Sequence, residues 1–104
     1  MTTYIDTDLA NLVKKLSDLR IATPESNPNY SSITEQYREA SKEQTEAIDK
    51  AIDNADVDYK DFSDCMQPAI DAINKALDDI KQVATAITMV AKVIDVAGKI
   101  ISKV

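Results

Sequence analysis

The sequence predicts an all-α fold, an antiparallel helical bundle, and three observations carry that reading. One glycine and three prolines in 104 residues leave few places to turn. Ala, Ile, Asp, Lys and Glu are abundant while aromatic residues make up 5% of the chain, a composition suited to helices. Apolar residues also recur at alternating three- and four-residue steps through most of the chain, the period of one helix face. The length fits a single domain, residues 1–104.

The first helix is expected over 6–22, where Ile5, Leu9, Leu12, Leu16 and Leu19 keep the helical step and Val13 widens the face. Asp6 or Thr7 can cap its start. The segment TPESNPN follows, with two of the three prolines and no helical period, so residues 23–31 read as a linker. A second helix is expected over 32–65. Ser32 and Glu35 have capping-box spacing, and Ile33, Tyr37, Ala40, Ala47, Ile48, Ile52, Ala55, Tyr59, Phe62 and Met66 hold one face. Arg38, Lys42, Glu43, Glu46, Asp49 and Lys50 fall on the solvated side.

The run DNADVD at 53–58 is weakly helical, and Asp56 or Asp58 could cap a new helix there. The apolar phase nevertheless passes through it without a slip. Proline is at home in a first helical turn, so the chain reversal is placed near Pro68 instead.

From Pro68 onward the polar residues are Asp71, Asn74, Asp78, Lys81, Thr85, Thr88, Lys92, Asp95, Lys99 and Ser102, at steps that alternate three and four throughout. That regularity predicts one helix over 68–104 with a narrow polar stripe. Beside the stripe, QVATAITMVAKVIDVAGKIISKV is apolar on most of its circumference. Lys92, Asp95 and Lys99 would lie deep in a bilayer, each costing about 2.5–3.5 kcal/mol, so a membrane span is rejected.

At 1.5 Å per residue the two long helices would be about 50 and 55 Å, twice the first helix. A narrow alanine-rich arm and a half-length helix cannot cover so wide a face. The remainder, Ile87, Val90, Ile94, Ala97 and Ile101, is the expected self-association face, most economically in a two-fold homodimer. The alternative is a chain that turns near 56 and again near 82 into a compact up-down four-helix bundle. The unbroken stripe counts against its second turn.

No histidine is present, which removes the commonest general base and the usual Ser-His-Asp and Cys-His systems. The acidic run Asp53, Asp56, Asp58, Asp61 and Asp64 does not fit a calcium loop, since Lys60 and Asp61 stand where an oxygen ligand and glycine are needed. It reads as a solvated face. Cys65 has only Lys60 as a basic neighbour in sequence and reads as a small apolar side chain. No catalytic, cofactor-binding or metal-ligating residue is therefore assigned, and no enzyme activity is expected.

Net charge is −6, and all of it sits between Glu35 and Asp64, with ten acidic and four basic residues. That argues against nucleic acid, which needs clustered cations, and makes a basic protein the expected partner of the acidic middle segment. A lone cysteine and an N-terminus without a basic-then-apolar pattern suggest a cytoplasmic location. The expected function is a non-enzymatic helical interaction or structural module that self-associates. The alternative is a membrane-surface-active or exported helical protein that uses the apolar C-terminal helix.

Overall fold

A computed structural model describes residues 2–104. Among these residues the chain is an all-α bundle with a very short β-ribbon at one end: β1 (Thr2–Tyr4), α1 (Asp6–Ala22), α2 (Tyr30–Ala47), β2 (Ala51–Asp53), α3 (Val57–Asp78) and α4 (Val83–Lys103), with a single 3₁₀ turn at Ile80–Gln82 leading into α4.

Helix α1 has the bounds that its leucine spacing predicts, and Leu9, Leu12, Leu16 and Leu19 are all buried. Its cap differs from the expectation: Ile5 holds the N-cap position and no side chain caps the helix. Ile5 is itself buried, so packing rather than a polar cap fixes where the helix begins. Helix α2 begins at Tyr30, before the Ser32 capping box. The turn 27–30 already orders this entry, because the Asn27 side chain accepts from the Asn29 N–H at 2.9 Å and the Asn27 carbonyl accepts from the Tyr30 N–H at 3.0 Å.

The expected helix over 32–65 is broken. Asp49 adopts φ 65°, the left-handed conformation that an aspartate tolerates and that stops an α-helix. Ala51–Asp53 then runs extended and pairs antiparallel with Thr2–Tyr4, Thr3 opposite Ile52. The acidic run builds the next start. Asp53 accepts from the Ala55 N–H at 2.9 Å, and Asp56 is the N-cap of α3, accepting from the Asp58 N–H at 2.8 Å. Two carboxylates of the acidic run, Asp53 and Asp56, thus accept from backbone N–H groups.

The expected helix over 68–104 is broken as well, and Pro68 is not a helix start. It lies inside α3, exposed to solvent, where its ring withdraws one donor from the ladder and water can reach the freed carbonyl. The reversal falls at Asp79, which is extended (φ −143°) and whose side chain accepts from the Lys81 N–H at 3.1 Å. An unbroken helix of that length would measure about 55 Å, whereas the longest dimension of the molecule is 44 Å.

The helices make two antiparallel hairpins, α1–α2 and α3–α4, stacked so that α1 lies beside α3 and α2 beside α4. Gln36 meets Ile87, and Glu43 meets Gly98, so α2 and α4 run in the same direction. The link from α2 to α3 through β2 therefore crosses the end of the bundle diagonally. Consecutive helices alternate in direction, as in an up-down bundle, but α2 and α3 are not neighbours in the ring.

At the ribbon end the chain is tied by charge. The Lys103 ammonium lies 2.9 Å from Asp56 and 2.8 Å from Asp58, joining the last turn of α4 to the first turn of α3. The core is built from the four leucines of α1, Ile33 and Ala40 of α2, Phe62 and Ile73 of α3, and Val83, Val90, Val93, Ala97 and Ile100 of α4. No helix is long and apolar enough to cross a membrane among the described residues.

Candidate functional site

The parallel pair α2–α4 leaves an open groove along the outside of the bundle. Ser32, Glu35, Gln36 and Glu39 wall its first part against Ile87, Ala91, Ile94 and Asp95, enclosing about 370 Å³. Glu39, Lys42, Glu43 and Glu46 wall the second part against Ile94, Gly98, Ile101 and Ser102, enclosing about 290 Å³. The two parts share Glu39 and Ile94, so they form one channel with an acidic wall from α2 and an apolar floor from α4. Helical repeat produces this: Glu35, Glu39 and Glu43 are four apart, while Ile87, Ile94 and Ile101 are seven apart, each set on one face.

Two polar groups in the channel lack partners. Gln36 is only 8% exposed; its amide donates to the Ile87 carbonyl at 2.8 Å and its Oε1 is buried with no hydrogen-bond donor among the described residues. Glu43 Oε1 is buried and unpartnered too. Burial first, then the charges of Glu39, Glu46 and Asp95, push the Glu43 carboxyl up from 4.5 to about 8. Neither lysine of the neighbouring ion pairs meets Glu43: Lys42 pairs with Glu46 at 3.8 Å and Lys99 with Asp95 at 4.0 Å.

Gly98 explains how Glu43 fits. A Cβ at position 98 would stand 3.2 Å from Glu43 Oε2, so the absent side chain makes the space that the carboxyl occupies. Helical spacing in the sequence puts Glu43 on the solvated side, whereas the fold half-buries it against Gly98. A signal was present nonetheless: the only glycine lies inside a helix, where glycine costs about 1 kcal/mol relative to alanine and calls for a packing reason.

The five residues expected to form a self-association face are divided by the fold. Val90 and Ala97 are fully buried in the core and Ile94 nearly so at 9%, while Ile87 and Ile101 are half-buried at the groove. The turns at 48–56 and 79–82 explain this, because they give α4 two neighbouring helices where a long hairpin would have given one. The polar stripe from Asp71 to Ser102 is exposed at every position.

A second depression, of about 430 Å³, lies between α3 and α4, lined by Asp61, Asp64, Cys65, Pro68, Met89, Lys92, Asp95 and Val96. Cys65 is half-buried and its thiol donates to the Phe62 carbonyl at 3.4 Å. Burial, with Asp61 and Asp64 adding to it, pushes the thiol up, away from the thiolate that nucleophilic chemistry needs, although its backbone hydrogen bond and Lys92 act in the other direction. Among the described residues, no group of three potential ligands is placed to hold a metal ion. The α2–α4 channel, with its built floor and orphaned polar groups, is the candidate site. No family model matches this chain, and no curated protein and no solved structure matches it either.

Proposed function

We propose that this protein is a non-enzymatic helical interaction module that holds a protein partner in the α2–α4 channel. One observation carries the reading: a surface channel combines an apolar floor, Ile87, Ala91, Ile94 and Ile101, with an acidic wall from Glu35, Glu39 and Glu46. An apolar strip left open beside carboxylates is suited to a ligand that covers the strip and meets the charge. Self-association through Ile87, Ile94 and Ile101 is a form of the same reading, although a two-fold contact there would set the glutamates of α2 against their own copies.

The alternative, a membrane-surface protein, requires α4 to leave the bundle, since Val83, Ala86, Val90, Val93, Ala97 and Ile100 are all buried. Site-specific photo-crosslinking tests the proposal. A photoreactive residue at Ala91, on the channel floor, should give one discrete protein adduct in cells, of this chain or another. The same residue at exposed Asp71 should not. Equal labelling at both positions, or none at Ala91, refutes the channel as the interaction surface.

A further inference from the structure

Resting on that reading, we propose that the partner is a basic amphipathic helix of another protein, whose apolar ridge lies on Ile87, Ala91, Ile94 and Ile101 and whose cations lie along Glu35, Glu39 and Glu43. Charge complementarity selects this occupant. The α2 wall presents Glu35, Glu39, Glu43 and Glu46, and α4 adds Asp95 from the other side. Lys42 pairs with Glu46 and Lys99 with Asp95, which leaves Glu35 and Glu39 without an ion-pair partner among the described residues. Unneutralised negative charge beside an apolar floor asks for cations carried on an apolar body.

A second copy of this chain does not supply that. Its net charge is −6, and its own polar stripe on α4 mixes Lys92 and Lys99 with Asp95. Anionic lipid is repelled by the same wall. Length is also constrained: the channel runs from Ser32 to Glu46 along α2, which at 1.5 Å per residue is about 21 Å, a helix of roughly four turns.

Glu43 gives this site a proton linkage. Held neutral below about 8 by its burial and by Glu39, Glu46 and Asp95, the carboxyl ionises when a guanidinium or ammonium reaches it. Binding then releases a proton, so affinity rises with pH across the neutral range and levels off once the free carboxyl is ionised. Of the groups facing Glu43, Glu39 and Glu46 come from α2 and Asp95 from α4.

The test uses three 18-residue helical peptides with leucines at helical spacing and the polar face made of arginine, glutamine or glutamate. Arginine keeps the probe's charge constant from pH 6.5 to 9. Fluorescence anisotropy with the whole protein should show the arginine peptide binding at least about tenfold more tightly than the glutamine peptide, with the glutamate peptide weakest. A scrambled arginine peptide without an apolar face should bind weakly, and Ala91→Trp, which fills the exposed floor without entering the core, should remove binding. Affinity of the arginine peptide should rise several-fold between pH 6.5 and 9, and Glu43→Gln should flatten that rise.

Equal binding of the arginine and glutamine peptides overturns the basic partner while leaving the channel reading intact. Binding that survives Ala91→Trp, or that the scrambled peptide matches, places the charge attraction elsewhere and overturns the inference. Failure of all three peptides to bind overturns the channel reading with it. Co-sedimentation with vesicles of phosphatidylglycerol and phosphatidylcholine, in place of peptide binding, assigns the surface to lipid and likewise overturns both.

Discussion

Replacing Glu43 by glutamine tests whether the carboxyl is held neutral by its surroundings. The side chain keeps its shape and its place beside Gly98, and loses only the capacity to ionise. In the native chain the group titrates near 8 against an ordinary value of 4.5, so between those two pH values the folded protein holds one more proton than the unfolded chain. Native stability must then fall as pH rises through this window. Were the carboxyl sealed from water, the difference would correspond to about 5 kcal/mol at 1.36 kcal/mol per pH unit. Glu43 is only half-buried, and solvent screening together with rotation towards water reduces that to about 1–2 kcal/mol.

Glu43→Gln should therefore match the parent in urea unfolding at pH 5 and exceed it by about 1–2 kcal/mol at pH 9. Glu46→Gln, at an exposed neighbour, should stay within about 0.5 kcal/mol at both. Parallel stability profiles for parent and Glu43→Gln would show that the carboxyl is charged at neutral pH, and the proton linkage would fall with it.

Three further outcomes follow from the fold. Pro68→Ala should stabilise the protein by about 1–3 kcal/mol, because it restores a donor inside α3, whereas Val57→Pro, at the first residue of α3 after an extended Asp56, should change stability by no more than about 1 kcal/mol; a loss of about 3 kcal/mol for Val57→Pro in thermal unfolding would restore the continuous helix. Ile94→Asp should unfold the chain, as seen by circular dichroism, while Lys92→Glu, on the exposed stripe, should stay within about 0.5 kcal/mol; equal damage from the two would mean that the faces of α4 are misassigned. The hydrogen bond from Lys103 holds the Asp56 carboxyl below its ordinary value of 3.8, so Lys103→Ala should raise that value in an NMR titration and speed amide exchange at the start of α3; the stability that Asp56 supplies is present above that pH and is lost as acid protonates it, and an unchanged Asp56 titration would remove the clamp.

The sequence by itself determined the fold class, the first helix and the solvent-facing stripe from Asp71 to Ser102. Period alone carries this information: four leucines at three- and four-residue steps can be satisfied only by a helix with one buried face, and all ten residues of the C-terminal polar stripe are exposed. The two reversals were decided by tertiary structure. A periodic pattern records which face meets water but not the direction in which the helix runs, so the stripe stays in phase across a turn at Asp79. Cap chemistry was present in both turns, at Asp56 and Asp79, but such residues also lie on solvated faces, and only the packing of α3 on α4 distinguishes the two. The short ribbon depends on strands of three residues brought together from opposite ends of half the chain, below what local pattern can register. The channel is the furthest from the sequence, because Glu43 and Gly98 are 55 positions apart and meet only where α2 and α4 run parallel.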